Sequence, residues 1–372
     1  MSAKDEALGQ LATDFEEYLS VRGIGFSSSE RLDLLAAALG AQFVLFAGPS
    51  GTGKSTAAAA LSEFFATRWT RLEVPRGLQR QEEFLGYYSQ YAERYIETPA
   101  LVDLLPLGAP LTPSSPPFCV IEEANLSPME GYLAAMIHGF SGIVAPSVDF
   151  QLHREASSVQ TSLAVPIPTV LRVGPFPRFL GTVNVDPTAP APANKITGRS
   201  CVVLLEPPSL DGSLSATDAL SVEETAELAG AGAVAVGRPD LAFNRLVEEA
   251  AWQPLQLELR TMAEVVSDGA GRNHVTSRDV NRAALYMSYF FLLARAAGVT
   301  EADARGIAAE NALLHFVLPL LPAHVFGRTL TKVAETGALR EDGLLIGRVQ
   351  RLQAAAEDAG FGVPPDYWTS LT

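Results

Sequence analysis

Basic residues are scarce in this sequence. Lys and Arg together number 27 against 42 Asp and Glu, so the chain carries a net charge of −15. A protein that binds nucleic acid by itself needs a basic face for the phosphates, and this acidic balance argues against such a protein. The overall charge leaves open whether the surface has a local basic patch. The composition therefore favours functions other than free-standing nucleic-acid binding.

Cysteines and long hydrophobic runs are also few. Cys119 and Cys201 stand in apolar runs without a CxxC pair, so we expect buried thiols and no disulfide framework. The N-terminal MSAKDEALGQ lacks the pattern of a signal peptide. The most apolar helical stretch, near residues 283–297, is too short and too interrupted to span a bilayer. These absences predict a cytoplasmic protein with no membrane segment.

The chain is long enough for two domains and a sizeable core, with 372 residues of which 48% are hydrophobic. Residues 1–40 have the pattern of two helices, the second with a candidate N-cap in the Ser-rich SSSE. From Gln42 onward, short β-type runs alternate with helical segments, which predicts a parallel sheet with helices on both faces. The predicted strands are QFVLFA (42–47), RLEVP (71–75), FCVIE (118–122), RFLGTVN (178–184) and CVVLLE (201–206).

Two parts of the chain depart from that alternation. VDFQLH and LAVPIPTVLRV, between the third and fourth strands, predict an inserted hairpin. After Glu206 the Pro-rich PPS marks a boundary, and the remainder is mostly helical, with the Ala/Gly-rich AGAGAVAVG (229–237) as a linker. We therefore expect N-terminal helices over residues 1–40, an α/β core over 41–206 and a helical domain over 207–372.

FAGPSGTGKST (46–56) contains the string G-x-x-x-x-G-K-[ST], directly after an apolar strand and at the start of a helix. Glycines let successive backbone N–H groups turn inward around phosphates, and the helix N-terminus faces the same anion. Lys54 is expected to reach the β- and γ-phosphates, and the Ser55 hydroxyl to bind Mg²⁺. The predicted nucleotide-binding residues are Gly48, Pro49, Ser50, Gly51, Thr52, Gly53, Lys54, Ser55 and Thr56. The loop is typical of P-loop NTPases and contacts phosphates alone, so it does not distinguish ATP from GTP.

FCVIEEAN (118–125) is an apolar strand that ends in two carboxylates. In P-loop NTPases the first acid holds Mg²⁺ and the second polarises the attacking water. Glu122 is therefore the predicted metal-side residue and Glu123 the predicted base, the alternative being a buried strand that ends in a charged turn. The first acid is usually Asp, and Glu122 is one methylene longer, which puts the Mg²⁺ geometry in question.

Several stretches resemble AAA+ proteins, and within them the branch related to the McrB subunit of modification-dependent restriction systems. They are FLGYYSQYAERYIETPALVDLL (84–105), EEANLSPMEGYL (122–133) and FLGTVNVDPTAPAPANKITGRSCVVLLE (179–206), with weaker likeness in ALLHFVLPLLPAHVFG and DYWTSL near the C-terminus. The resemblance covers about residues 40–370. It implies an AAA+ core followed by a helical lid domain, with Asn184 at the sensor 1 position that contacts the γ-phosphate or its water.

The resemblance also implies roles for three basic residues. Arg199 is similar to the arginine finger that a neighbouring subunit supplies, and Lys195 is similar to a residue that assists it. The family usually has Asp before this Arg, where the chain has Gly198, and this weakens the positioning of Arg199. Arg260 in LQLELRT is the candidate for a second sensor in the lid. The alternatives are an Arg that caps a strand for Arg199 and a solvated or ion-paired Arg for Arg260.

The function implied by the resemblance is that of a ring-forming motor subunit, expected as a hexamer, in a restriction or anti-phage system. It implies ATP or GTP and Mg²⁺ as cofactors, and a separate partner that recognises or cuts DNA. The acidic charge fits contact with DNA through that partner, and neither a nuclease constellation nor a reader domain is evident. Two alternatives stay open: a MoxR-like chaperone ATPase that remodels a protein partner, and a nucleotide-bound scaffold without turnover.

Overall fold

The computed structural model describes residues 3–65, 69–98, 101, 117–140, 148–155, 157–161, 165–173, 177–186, 189–206, 275–323, 325–326, 329, 350, 367–368 and 371. The helices of these ranges are α1 (Ala3–Val21), α2 (Ser28–Gly40), α3 (Lys54–Phe65), α4 (Gln81–Leu85), α5 (Met129–Tyr132), α6 (Ile137–Phe140), α7 (Asn194–Thr197), α8 (Ser277–Ala296) and α9 (Glu301–Ala312). The strands are β1 (Phe43–Gly48), β2 (Trp69–Glu73), β3 (Gly86–Ser89), β4 (Arg94–Glu97), β5 (Phe118–Glu122), β6 (Val148–Gln151), β7 (Val159–Gln160), β8 (Pro166–Ile167), β9 (Val170–Val173), β10 (Arg178–Asn184) and β11 (Cys201–Leu204).

Five parallel strands form one sheet in the order β11-β1-β10-β5-β2. All five were predicted from the sequence. β5 and β10 have the predicted bounds, whereas β2 begins and ends two residues earlier and β11 ends two residues earlier. Because the strands are parallel, the carboxyl ends of β1, β10 and β5 meet at one edge, where Gly48 lies in register with Asn184.

Buried side chains alternate between the two faces of the sheet. On β1, Val44 and Phe46 pack with α1, α2, α3, α8 and α9, whereas Phe43, Leu45 and Ala47 pack in a second cluster with α5, α6 and α7. A strand buried on both faces reads as a continuous hydrophobic run, which is why FVLFAG signals a central strand so clearly. The α/β class with helices on both faces of a parallel sheet is thus confirmed.

The two N-terminal helices lie against α8, so residues far apart in sequence share one hydrophobic cluster. Ser27 caps α2 as predicted: its hydroxyl accepts from the Glu30 N–H, and its own N–H donates to the Glu30 carboxylate. Gly40 allows the close approach, because a Cβ there would lie 2.9 Å from the Tyr286 Cα atom. The expected domain boundaries after residues 40 and 206 stay predictions.

Three short antiparallel pairs stand outside the main sheet. β6 pairs with β9 and β7 with β8, in the region where the sequence predicts an inserted hairpin. The β3–β4 hairpin was not predicted. Gly86 begins it with φ 102°, and a Cβ there would meet the Ile96 carbonyl oxygen at 2.2 Å, so this crossing needs glycine.

The described C-terminal part is helical, as the sequence predicts. Thr276 and Asp279 form a capping box at the start of α8. α9 continues into a π-helical segment, Leu313–Val317, and a 3₁₀ turn, Leu318–Leu320. Asp33 of α2 accepts hydrogen bonds from the Tyr286 hydroxyl of α8 and from His315 of the π-helical segment, which joins these elements. The linker at 229–237 lies outside the described residues.

The sequence also predicts buried thiols and no membrane-spanning helix, and the structure bears on both predictions. Cys119 on β5 and Cys201 on β11 are both buried thiols, as predicted, and burial raises the pKa of Cys201. Among the helices that the structure describes, none has the length and apolar character needed to cross a membrane.

Candidate nucleotide-binding site

The glycine loop connects β1 to α3 and has the backbone conformations that its sequence requires. Gly51 and Gly53 have φ values of 84° and 85°, in the left-handed region that favours glycine. At Gly48, a Cβ would lie 2.3 Å from the Leu205 carbonyl oxygen, so the loop also needs glycine where it leaves the sheet. Thr52 closes the loop by donating its hydroxyl to the Pro49 carbonyl at 3.0 Å.

Lys54 begins α3 and turns its ammonium group back over the loop. Its Nζ atom donates to the carbonyl oxygens of Gly48 at 2.9 Å and Pro49 at 2.6 Å. Burial lowers the pKa of Lys54, while the negative charges of Glu122 and Glu123 oppose that change. The loop therefore holds a buried cation that is bonded to neutral carbonyl groups and is ready to bind an anion.

Glu122 lies at the end of β5 in a set of polar contacts. Its Oε2 atom accepts hydrogen bonds from the Ser55 hydroxyl at 2.6 Å and the Thr182 hydroxyl at 2.8 Å. Its Oε1 atom lies 3.4 Å from Nε of Arg71, a side chain that is half exposed on β2. The predicted Mg²⁺ residues, Ser55 and Glu122, are thus in direct contact. Their oxygens are the kind of donor that Mg²⁺ prefers, so the residues fit this metal.

Glu123 directs its carboxylate into the same cleft from an unusual backbone conformation. Its φ of 50° and ψ of 44° are left-handed, which is uncommon for a residue with a side chain. The Glu123 N–H donates to the Thr182 hydroxyl at 2.9 Å. The Asn184 amide donates to Glu123 Oε1 at 3.5 Å, so the predicted base and the predicted sensor are neighbours.

These residues surround one cleft of about 810 Å³ at the carboxyl edge of the sheet. The lining residues are Ser50, Gly51, Gly53, Lys54, Ser55, Thr56, Arg71, Glu73, Val74, Pro75, Glu122, Glu123, Thr182 and Asn184. Sequence reasoning missed the β2 residues and Thr182. A signal for Thr182 exists, because it stands two residues before Asn184, and alternate residues of a strand share a face. The roles predicted for the loop residues, Glu122, Glu123 and Asn184 in nucleotide binding and hydrolysis stay predictions.

Arg199 and Lys195 are not among the residues that line this cleft. Lys195 lies in α7 and Arg199 in the turn that follows it, where the Arg199 guanidinium donates to the Lys195 carbonyl at 2.8 Å. Arg260 lies outside the described residues. The structure therefore brings the loop, the two glutamates and Asn184 together, and it places the expected arginine finger elsewhere.

The Arg199 turn is held by α8. The buried guanidinium of Arg282 donates to the Gly198 carbonyl at 2.9 Å. A Cβ at residue 198 would lie 2.9 Å from the Asn194 carbonyl oxygen and 3.9 Å from a guanidinium nitrogen of Arg278. Burial and the charge of Arg278 lower the pKa of Arg199, and Asp279 opposes this. The arginine cluster (Arg199, Arg278 and Arg282) was not foreseen, because its members come from separate elements.

Solved structures similar to this chain were found, whereas the other comparisons found no match. No protein-family model matches this chain. No curated protein matches it either. A crystal structure from Cytophaga hutchinsonii ATCC 33406, named a "putative ATPase", matches 94% of this chain and 97% of its own, at 13% identity and a TM-score of 0.46. At that identity and score the likeness carries no conclusion about activity, so the function has to be inferred from the site.

Proposed function

We propose that this chain is a nucleoside-triphosphatase that binds ATP or GTP together with Mg²⁺. One observation carries the proposal: the glycine loop with Lys54, the Glu122–Glu123 end of β5 and the Asn184 end of β10 line a single cleft. Its volume of about 810 Å³ suits a small-molecule ligand. A phosphate loop alone indicates anion binding, and the adjacent pair of carboxylates adds the groups needed for hydrolysis.

The chain's own residues divide the work in this cleft. Backbone N–H groups of the loop and the amino end of α3 bind phosphate oxygens, and Lys54 exchanges its two carbonyl partners for them. Ser55 and Glu122 would hold Mg²⁺, which would neutralise charge on the phosphate oxygens. Glu123 accepts a proton from the attacking water, and Asn184 orients that water beside Glu123.

We further propose an AAA+ assembly in which Arg199 acts on a neighbouring subunit. Its position outside the cleft fits a residue that serves another copy of the chain. A guanidinium near the γ-phosphate neutralises charge in the transition state, which is worth about 10³–10⁵ in rate in related systems. A ring, expected as a hexamer with a helical lid in each subunit, gives every cleft one such arginine.

For the cellular role we propose an McrB-like function: this chain is the motor subunit of a restriction or anti-phage complex whose partner recognises or cuts DNA. The sequence of segments 84–105, 122–133 and 179–206 supports this role, because it resembles McrB-like proteins. The net charge of −15 fits contact with DNA through a partner. A MoxR-like chaperone ATPase and a non-hydrolysing scaffold remain the rival proposals. The adjacent gene distinguishes the first two proposals. A gene for a nuclease or DNA-recognition protein supports the McrB-like role, and one for a von Willebrand A-type protein supports the MoxR-like role.

The deciding experiment measures phosphate release from ATP and from GTP by the wild-type protein, with Mg²⁺ and with EDTA. We expect Mg²⁺-dependent release with one or both nucleotides. Calorimetry with non-hydrolysable analogues accompanies it. Binding without turnover, also in the presence of the partner, favours the scaffold. Absence of binding for both nucleotides contradicts the proposal.

A further inference from the structure

The short segment after Glu123 links the catalytic edge of the sheet to the loop beyond β10. Residues Ala124–Leu126 form a 3₁₀ turn between β5 and α5. Within it, Asn125 is 4% exposed, and its amide nitrogen donates to the carbonyl oxygens of Asn184 and Pro190, both at 3.0 Å. A single buried side chain on the Glu123 turn thus holds the strand end that carries Asn184.

Glu123 depends on its surroundings to keep its conformation. A left-handed backbone is unfavourable for a residue with a side chain and persists where neighbouring contacts fix it. Two of these contacts involve the backbone of Glu123 itself: its N–H donates to the Thr182 hydroxyl of β10, and its carbonyl accepts from the Leu126 N–H at 2.8 Å. Both bonds hold the backbone of Glu123, and neither sets where the Asn184 side chain lies.

The position of Asn184 relative to Glu123 depends on a third residue. The Asn184 amide reaches Glu123 Oε1 at 3.5 Å, the outer limit for a hydrogen bond, so this contact is too weak to align the two groups. The Asn184 carbonyl is bonded to Asn125, two residues beyond Glu123 on the same turn. Asn125 therefore fixes the backbone of Asn184 relative to the turn from which the Glu123 carboxylate extends.

We propose that Asn125 is a positioning residue for nucleotide hydrolysis, acting through the Asn184 carbonyl to align the Asn184 amide with the Glu123 carboxylate. This role rests on the proposed nucleoside-triphosphatase function. Asn125 does not line the nucleotide cleft, so its loss leaves the phosphate-binding groups in place. Its loss also leaves two carbonyl groups without their Asn125 bonds and removes the link between the Asn184 end of β10 and the Glu123 turn, while β10 stays paired with β1.

The test is Asn125→Ala in the full-length chain, with kcat, KM and the affinity for a non-hydrolysable analogue measured in parallel. We expect kcat to fall about tenfold, because misalignment by a fraction of an ångström is costly for water attack. Affinity and KM are expected to stay within about twofold of wild type, as binding groups are untouched. Asn125→Ser, which keeps a shorter hydrogen-bond donor, is expected to show an intermediate kcat and serves if the alanine variant does not fold.

Tyr132→Phe is the matched control. The Tyr132 hydroxyl donates to the Ala124 carbonyl at 2.9 Å, so the variant also removes a buried hydrogen bond from this turn, but one that leads to α5. We expect a loss of thermal stability like that of Asn125→Ala with kcat unchanged. An equal fall of kcat in both variants would show general loosening of the turn and overturn the role of Asn125.

A double-mutant cycle with Glu123→Gln decides whether Asn125 acts through the base. Single-turnover rates are expected to be the same for Glu123→Gln with and without Asn125→Ala, because a residue that aligns Glu123 has no effect once the base is gone. Two losses that multiply overturn the proposal. If Asn125→Ala hydrolyses nucleotide as fast as an active wild type, the role of Asn125 is also overturned, whereas the proposed function stands. A wild type without turnover contradicts the proposed function itself.

Discussion

The nucleotide cleft and the turn that carries Arg199 belong to neighbouring strands of one sheet but are built differently. In the cleft, polar side chains are bonded to one another: Ser55 and Thr182 to Glu122, and Asn184 to Glu123. At the turn, Arg199 is bonded to the carbonyl of Lys195 in α7 and lies near two further arginines. In the cleft, polar and charged side chains are bonded to one another, whereas at the turn three arginines lie close together with Asp279 beside them.

The difference indicates what each region needs from outside. Among the residues that the structure describes, the cleft is lined by two cations, Lys54 and Arg71, and by three carboxylates. At the arginine cluster, the carboxylate of Asp279 opposes the positive charges of Arg199 and Arg282. The charged side chains that line the cleft have one negative charge in excess, so a triphosphate needs positive charge from Mg²⁺ and, in the proposed assembly, from an arginine of another subunit. We infer that the two regions are complementary halves of a site shared between copies of the chain.

The largest expected effect comes from removing the buried cation of the cleft. Lys54→Ala is expected to abolish measurable binding of ATP and GTP by calorimetry, because Lys54 is the ammonium group that the loop encloses. Arg71→Ala, which removes the other cation of the cleft from a half-exposed position, is the control and is expected to keep measurable binding. Unchanged affinity in Lys54→Ala would contradict the phosphate-loop assignment.

The next effect tests the other region. Arg199→Ala is expected to bind nucleotide normally and to hydrolyse it about 10³-fold more slowly, since the transition state loses a guanidinium. Arg305→Ala, which removes an arginine from an exposed pair with Glu301 on α9, is the control and is expected to match wild type.

Mixing two inactive proteins makes the comparison between regions direct. Arg199→Ala protein keeps an intact loop, and Lys54→Ala protein keeps an intact Arg199. Mixed assemblies contain interfaces at which both are present, so part of the activity is expected to return. If size-exclusion chromatography shows mixed assemblies that remain inactive, Arg199 does not act between subunits, and Lys195 becomes the next residue to test.

The two glutamates of the cleft are expected to separate binding from chemistry. Glu123→Gln keeps the shape of the side chain but cannot accept the proton of water, so hydrolysis is expected to fall about 10²-fold while nucleotide binding is retained. Nucleotide affinity and single-turnover rates measure the two effects. If Glu122→Gln stops turnover and Glu123→Gln does not, the assigned roles of the two residues are reversed.

Much of the cleft was predictable because its signals are local. The phosphate loop needs glycine at set positions, and Gly51 and Gly53 have the left-handed φ values that explain them. Central parallel strands are continuous apolar runs, so β1, β5 and β10 were recognised, and parallel order then brings Glu122, Glu123 and Asn184 to one edge. Elements that are determined by residues within about ten positions of one another could therefore be predicted from the sequence.

Features that depend on distant contacts were not predictable in this way. The β3–β4 hairpin has no Asn-Gly or Asp-Gly turn, and its start at Gly86 is explained by the approach of the Ile96 carbonyl. The bond from Arg282 to Gly198 joins residues 84 positions apart. A single sequence offers no signal for such a contact. Glycine at residue 198 has a different reason, since a Cβ there would lie 2.9 Å from the Asn194 carbonyl oxygen.

The smallest expected effect on turnover concerns that contact. Arg282→Met keeps much of the side-chain volume but removes the hydrogen bond to Gly198, so the turn that carries Arg199 loses its link to α8. We expect kcat to fall about tenfold with nucleotide affinity unchanged, because the finger is misplaced rather than lost. The effect should vanish in an Arg199→Ala background, where no finger remains to be positioned.

Arg178→Met is the matched control for this prediction, because Arg178 is also a buried arginine that donates to backbone carbonyls, those of Ala38 and Ala41. It lies at the opposite end of β10 from the cleft, where it ties α2 to the sheet. Both variants are expected to lose about 1–3 kcal/mol of stability in denaturant unfolding, since each removes a buried donor from at least one backbone carbonyl. Only Arg282→Met is expected to slow turnover. Equal kcat values for the two variants would mean that α8 supports the fold without positioning Arg199, and that the turn holds its arginine by itself.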